Sequence, residues 1–284
     1  MKSLAITAFA FAALSFGSAA AGPPVNVMYI ANEGFLIEAG GRHILIDAIF
    51  DDRSITYAHI PDEETLSLMQ ASKAPFDDID LVLVTHFHRD HFSAAPMLEH
   101  LKGNPSGVLI GPPQMVDALR AVEPEFEEKG LSIKEVDLGL FESAELEMDG
   151  IHVRAIRLRH SAFMEIDEET GEQFNRHARV ENLVYLVEFE GLTMLHAGDA
   201  VLSQNLELFE DGGFQKEKID IVFLEFFDWS DETKSILDRW MTPDHVVFMH
   251  LPPEPEKIRQ IEAHLLEKFP NAVVFAEPNE EKAL

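Results

Sequence analysis

The stretch LVLVTHFHRDHF, residues 81–92, joins a run of apolar, β-branched residues directly to a loop with three histidines and an aspartate. The apolar run is typical of a buried β-strand, and a loop at a strand end can direct polar side chains into a cleft without breaking the core. Histidine is the commonest protein ligand for zinc, and a carboxylate is an acceptable companion. The pattern H-x-H-x-D-H therefore predicts a strand over 79–84 that ends at a metal site.

The rest of the chain is strand-rich in two stretches and alternates strands with helices elsewhere. Gly40 and Gly41 separate two apolar runs, which indicates a β-hairpin. Further strands are predicted at 25–30, 108–110, 132–136, 151–158, 183–189, 192–196, 219–225, 245–249 and 272–275. Helical patterns cover 66–69, 95–102, 114–122, 203–209, 231–240 and 256–269. Two mixed sheets covered by helices on their outer faces satisfy this order, which predicts a four-layer αββα sandwich of the α+β or α/β class.

The first 21 residues are expected to be a cleaved secretory signal peptide. Lys2 precedes an apolar stretch over 4–16, and small residues ending in Ala19, Ala20 and Ala21 follow it. The alternative is a membrane anchor, but the apolar stretch is shorter than the roughly 20 residues that a bilayer requires. We expect one mature domain over 22–284 that is periplasmic or secreted, with no stable membrane insertion.

Composition restricts the partners and the metal ligands. The chain has 22 Lys and Arg against 51 Asp and Glu, a formal net charge of -29. Nucleic acid binding depends on basic patches, so a nucleic acid partner is not expected and a small-molecule substrate is. Cysteine is absent, so any metal site uses histidine and carboxylate ligands.

These motifs resemble the metallo-β-lactamase superfamily of hydrolases, over nearly the whole mature chain. That resemblance implies the αββα fold and three further ligands at later strand ends. VRAIRLRHSA supplies His160, GLTMLHAGDA supplies Asp199 and HVVFMHLPP supplies His250. Within the superfamily, YIANEGFLIEAGGRHILIDAIF and ENLVYLVEFEGLTMLHAGDA are most similar to the branch containing the ascorbate-6-phosphate lactonase.

By the same resemblance, seven residues bind two metal ions. His86, His88 and His160 hold one, Asp90, His91 and His250 hold the second, and Asp199 bridges them. Asp47 supports the ligand loop instead of binding metal. Seven other histidines lack this context and are predicted to be non-ligands: His43, His59, His100, His152, His177, His245 and His264.

The expected cofactor is a pair of zinc ions, with manganese or iron as alternatives. Two such ions sharing a water would lower its pKa and hold a hydroxide against a lactone, ester or phosphodiester. Asp90 is the predicted catalytic residue, because it can orient the hydroxide and then pass a proton to the leaving group.

Two other functions stay open at this point. A periplasmic β-lactamase fits the leader, although those enzymes generally lack the bridging aspartate. A non-catalytic, metal-stabilised binding module fits the ligands without any turnover.

The segment between His160 and the next strand is longer than a simple turn and starts at a ligand. We expect it to face the substrate, with Arg176, His177 and Arg179 near an anionic group. The alternative is a solvated loop whose bases offset the surrounding acids. Phe227, Asp228 and Trp229 either line the other side or belong to the core.

Overall fold

The computed structural model describes residues 24–284, and most of its strands form two mixed sheets of seven strands each. The predicted leader, residues 1–21, lies outside the described residues. The first sheet contains, in spatial order, β16 (Glu281–Ala283), β1 (Val25–Ala31), β2 (Gly34–Ala39), β3 (Arg42–Ile46), β4 (Leu81–Leu83), β5 (Val108–Gly111) and β6 (Ile133–Glu135). The second contains β15 (Ala272–Val274), β14 (His245–Met249), β13 (Ile221–Glu225), β12 (Leu192–His196), β11 (Asn182–Phe189), β8 (Ile151–Leu158) and β7 (Ser143–Met148).

Two short strands, β9 (Met164–Ile166) and β10 (Gln173–Asn175), form a separate ribbon. The α-helices are α1 (Glu63–Gln70), α2 (Ala94–Gly103), α3 (Pro113–Val122), α4 (Glu207–Glu210), α5 (Asp231–Ile236) and α6 (Pro255–Lys268). Two 3-10 turns lie at Phe126–Lys129 and Leu202–Gln204, and a π-helical turn lies at Leu237–Met241. Among residues 24–284, no helix combines the length and the apolarity needed to cross a bilayer.

Alternating side chains place apolar residues on both faces of each sheet. Between the sheets, Phe35 of β2 packs against Phe223 of β13 with ring centroids 4.9 Å apart. A second core joins the outer face of the first sheet to α1, α2 and α3. A third joins the outer face of the second sheet to α4, α5 and α6. Helices therefore cover both outer faces, and the predicted αββα sandwich is confirmed.

Strand direction gathers the predicted site residues. β3 and β4 run parallel, so Asp47 and the loop starting at Thr85 leave the first sheet at one edge. In the second sheet β12, β13 and β14 run parallel, and Asp199 and His250 follow the first and last of them. β8 pairs antiparallel with β11, which pairs antiparallel with β12, so His160 leaves the sheet at the same edge.

Two predicted helices are shorter than expected. The predicted helix over 203–209 is a 3-10 turn followed by α4, because the buried Asn205 amide donates to the Val201 carbonyl at 2.9 Å and its oxygen accepts from Arg159 N. The predicted helix over 231–240 is regular only through α5 and then continues as the π-helical turn.

Candidate metal centre

The loop after β4 and the ends of β8 and β12 bring four donor side chains together. His86 Nε2 lies 3.0 Å from His88 Nδ1, and His160 Nε2 lies 3.1 Å from the same atom. Asp199 Oδ2 lies 3.0 Å from His160 Nε2 and 3.9 Å from His86 Nε2. These four residues form one group of donor atoms that all face one another.

A second group, Asp90, His91 and His250, lies beside the first. Asp90 Oδ2 is 3.8 Å from His91 Nε2 and 3.6 Å from His250 Nε2. The structure therefore divides six of the predicted ligands into the same two triads as the resemblance implies.

Asp199 faces both groups. Its Oδ2 approaches His160 and His86, while its Oδ1 lies 3.1 Å from His91 Nε2. A carboxylate with one oxygen toward each triad has the orientation that a bridging ligand needs.

Outer hydrogen bonds assign the ring tautomers. Thr85 Oγ1 donates to Asp47 Oδ2 at 2.5 Å and can therefore accept from His86 Nδ1 at 3.0 Å. His91 Nδ1 donates to Asp47 Oδ2 at 3.0 Å. When either ring is neutral, its proton is then on Nδ1 and its Nε2 lone pair points into the site. Asp47 thus supports two rings from behind, which is the role expected of it.

His160 is held in the same way, because its Nδ1 donates to the Ser161 carbonyl at 3.0 Å. His177 Nδ1 lies 3.0 Å from that same outer nitrogen. Among the described residues, His177 belongs to neither donor group and instead contacts His160 from outside.

Burial and neighbouring charge set the protonation of the rings. Burial, together with the nearby His91 charge, holds the pKa of His86 well below its usual range, and burial with the His160 ring lowers the pKa of His88 to about 4. Burial would also lower the pKa of His91, but the Asp199 and Asp90 carboxylates outweigh it and hold that pKa well above its usual value. In the metal-free protein the positive charge of protonated His91 therefore offsets the negative charge of these carboxylates. A bound metal ion can supply that positive charge instead.

The donor set fits divalent metal ions. Ligands about 2.0–2.2 Å from a tetrahedral zinc lie about 3.3–3.6 Å from one another. The four distances given above for the first group run from 3.0 to 3.9 Å around that value, and all its donor atoms lie within 4.8 Å of one another. His91 Nε2 and Asp199 Oδ1 are buried and make no hydrogen bond within residues 24–284. They face each other at 3.1 Å across the site as an ion pair, and buried polar atoms without a hydrogen-bond partner are rare.

The backbone around the centre is strained. Asn32, Asp47 and His250 have φ values of 49°, 46° and 57°, a region that non-glycine residues rarely occupy. Gly198 before Asp199 has φ of 53°, and a Cβ there would lie 2.7 Å from the Asn182 and Thr85 side chains. The Gly-Asp pair therefore needs glycine for both conformation and space.

The site also contains residues that were not predicted from the sequence, among them Asn32, Glu33 and Glu225. The Asn32 amide donates to the Asp90 carbonyl at 3.1 Å and to Asp90 Oδ2 at 3.4 Å. Glu33 and Glu225 are fully buried, and none of their carboxylate oxygens has a hydrogen-bond partner in the described chain. Burial, with added repulsion from Asp199, raises the pKa of both.

The sequence does contain a signal for Glu225. This residue ends the apolar run IVFLE, just as the predicted metal ligands follow apolar runs. That run is β13, which lies between β12 and β14, the strands that precede Asp199 and His250. Glu33 forms a further group with Asp47 and His91 behind the second triad. Its Oε2 lies 3.8 Å from His91 Nδ1.

A cavity of about 850 Å³ opens onto the centre. Asp90, Asp199, His250 and Glu225 line it, as does Phe227. Asp228, by contrast, is buried and accepts from Leu202 N at 2.6 Å, and Trp229 lines a different groove. Phe227, Asp228 and Trp229 were predicted to line either the site or the core. Of these three, Phe227 is the residue that lines the cavity at the site.

The fold and the paired histidine and aspartate groups define a metallo-β-lactamase type of centre. The chain belongs to the beta-lactamase superfamily, because residues 42–264 match the model of the Beta-lactamase superfamily domain. The predicted superfamily is therefore confirmed. The finer resemblance, to the branch with the ascorbate-6-phosphate lactonase, stays a prediction.

Individual relatives agree with this placement. The chain is 26% identical to a UPF0173 metal-dependent hydrolase of Polynucleobacter asymbioticus over 252 residues, which cover 86% of this chain and 80% of that one. It is 35% identical to a ribonuclease Z of Agathobacter rectalis over 108 residues, 35% of this chain and 34% of that one. Among solved structures, the metallo hydrolase Igni18 of Ignicoccus hospitalis shares the fold, with a TM-score of 0.51, 17% identity and coverage of 92% and 98%.

Proposed function

We propose that this chain is a dinuclear metal hydrolase that cleaves a small-molecule lactone, ester or phosphodiester. The proposal rests on the orientation of the Asp199 carboxylate, whose two oxygens face two separate triads of donor atoms. The relative from Polynucleobacter asymbioticus, which covers 86% of this chain, is named a metal-dependent hydrolase, which supports the enzyme class.

The residues that hold the metal ions are, in this proposal, His86, His88, Asp90, His91, His160, Asp199 and His250. When bound, two divalent ions polarise the substrate oxygen and activate a water molecule for attack. Histidine and carboxylate donors suit zinc, and they also suit manganese or iron.

Asp90 moves the proton in this scheme. Its carboxylate lines the cavity, and Asn32 fixes its orientation through hydrogen bonds to Asp90 O and Oδ2. Burial works against ionisation of Asp90, but the His91 and His250 charges lower its pKa overall, so it is a carboxylate at neutral pH. An ionised carboxylate at the cavity wall can accept a proton from the attacking water and deliver it to the leaving group.

We also propose a soluble, exported enzyme without a nucleic acid partner. The leader-like residues 1–21 support export, and the net charge of -29 disfavours binding to phosphate backbones. Mass spectrometry of the periplasmic or secreted fraction should find an N-terminus near Gly22. An intact Met1 on cytoplasmic protein would contradict export.

A substrate panel tests the function. Metal-loaded protein is assayed with lactones, carboxylic esters, thioesters, phosphodiesters and β-lactams, before and after chelation. We expect turnover of a lactone, ester or phosphodiester that chelation removes and added metal restores. Hydrolysis of β-lactams alone would indicate the β-lactamase alternative, and no turnover in a fully metal-loaded sample would favour the binding module.

A further inference from the structure

The segment between β8 and β11 forms part of the cavity wall. It contains the β9–β10 ribbon, and Ser161, Phe163, Arg176, His177 and Arg179 line the same cavity as the proposed metal ligands. A substrate that reaches the centre therefore contacts this segment.

Hydrogen bonds fix the end of this segment that leads into β11. Gln114, at the start of α3, donates from Nε2 to the Arg179 carbonyl at 2.9 Å and accepts from Glu181 N at 2.9 Å. Its own backbone N–H donates to the Glu181 carboxylate at 3.1 Å. These three bonds hold the backbone at Arg179 in place while its side chain stays exposed toward the cavity.

Three arginines line the cavity, and two of them have carboxylate partners. Arg89 pairs with Asp52 at 3.0 Å, and Arg176 pairs with Glu165 at 3.2 Å. The Arg179 guanidinium has no hydrogen bond or ion pair to any residue of the described range 24–284. Its neighbour Glu181 is already used by Gln114.

An unpaired arginine is notable in a chain with 51 acidic and 22 basic residues. The summed negative charge repels anions from the surface as a whole, so an anionic substrate needs a local cation to stay bound. A guanidinium presents a planar set of donors that matches the oxygens of a carboxylate or phosphate.

We propose that Arg179 binds an anionic group of the substrate that is remote from the bond being cleaved. This inference rests on the proposed hydrolase function and narrows its substrate class to esters or lactones with a carboxylate or phosphate substituent. Phe87 and Phe163, 39% and 51% exposed, line the same cavity and provide apolar contact for the atoms between the two ends.

Three esters of 4-nitrophenol test it: the neutral butyrate, the glutarate monoester with a terminal carboxylate, and the 4-phosphonobutyrate. Each is assayed with wild type, Arg179→Gln and Arg179→Lys. The control is Arg259→Gln, which removes an exposed arginine of α6 that pairs with Glu256.

Arg179→Gln should lower kcat/KM for an anionic ester by about 10- to 100-fold, since a hydrogen bond to a charged group is lost. The same variant should change kcat/KM for the neutral butyrate by less than about twofold. Arg179→Lys should retain part of the preference for anionic esters, because it keeps the positive charge. A larger loss of kcat/KM with the glutarate ester would identify the anionic group bound by Arg179 as a carboxylate. A larger loss of kcat/KM with the 4-phosphonobutyrate ester would identify it as a phosphate.

Equal losses for the butyrate and both anionic esters, or no loss at all, would overturn the inference. Binding of the non-hydrolysable glutarate monoanilide, measured by calorimetry, separates this result from failure of the proposed function. If wild type turns over none of the esters and no member of the lactone, ester and phosphodiester panel, the hydrolase proposal is contradicted. Weaker monoanilide binding by Arg179→Gln, but not by Arg259→Gln, would still support Arg179 as the anion site.

Discussion

The proposed mechanism gives Asp90 two roles, metal binding and proton transfer, because its carboxylate faces His91 and His250 and also lines the cavity. Asp90→Asn keeps the size of the side chain but removes the group that accepts and returns the proton. We expect kcat to fall by about 100- to 10,000-fold at full metal occupancy. The measurement is turnover with metal content determined in the same sample.

Asp77→Asn is the matched control, since Asp77 is an exposed loop residue. Its rate should equal that of wild type. A fully metal-loaded Asp90→Asn protein with the wild-type rate would contradict the proton-transfer role.

The protonation state of Glu225 affects the stability of the folded protein. Burial, reinforced by the Asp199 charge, raises its pKa well above the ordinary value of 4.5. The folded state then holds this proton more tightly than the unfolded chain, so the contribution of Glu225 to stability falls as the pH rises above about 4.5. Glutamine resembles the neutral acid at every pH.

Glu225→Gln should therefore stabilise the metal-free protein at pH 8 by about 1–3 kcal/mol, and by less at pH 5. Urea unfolding of wild type and variant at both pH values measures this difference. Glu267→Gln, at an exposed position on α6, should show no such pH dependence. A Glu225→Gln protein less stable than wild type at pH 8 would contradict the account.

At the scale of elements, the turn after β12 positions Asp199, the proposed bridging ligand. Gly198 has positive φ, and a Cβ there meets Asn182 and Thr85, whereas Gly212 also has positive φ of 78° but nothing within 4 Å. Gly198→Ala combines backbone strain with steric overlap, and Gly212→Ala brings strain alone.

We expect Gly198→Ala to destabilise the protein by about 2–4 kcal/mol and to weaken metal binding, while Gly212→Ala costs about 1 kcal/mol and leaves metal affinity unchanged. Thermal unfolding and metal titration of both variants provide the test. Equal metal affinity in the two variants would show that the turn does not position Asp199.

Local sequence patterns predicted most strands and helices, and their failures have physical causes. β7 was missed although its alternating residues lead into the left-handed Asp149-Gly150 turn, a recognisable hairpin signal. β9 and β10 are short and exposed, so no burial pattern marks them. The break at Asn205 depends on a contact with Arg159, which no local pattern contains.

At the scale of the whole molecule, the candidate site was predictable to the extent that its residues follow buried strands. The seven residues proposed as ligands meet at one edge because the four strands that precede them, β4, β8, β12 and β14, end there. Asn32 and Glu33 lie instead in the β1–β2 turn, and the pairing of β2 with β3 and of β3 with β4 within the first sheet brings them to Asp90 and His91. Contacts of this kind between distant segments are not visible in a single sequence.

Metal content tests the central claim, that two adjacent groups bridged by Asp199 hold two metal ions. Purified protein is metal-depleted, reconstituted with zinc, freed of excess metal, and analysed for zinc per chain, with circular dichroism as a check on the fold. The account predicts close to two equivalents for wild type, with manganese or iron able to replace zinc, and clearly fewer for Asp199→Ala. A folded wild-type protein that retains no metal, or only one equivalent, would contradict it.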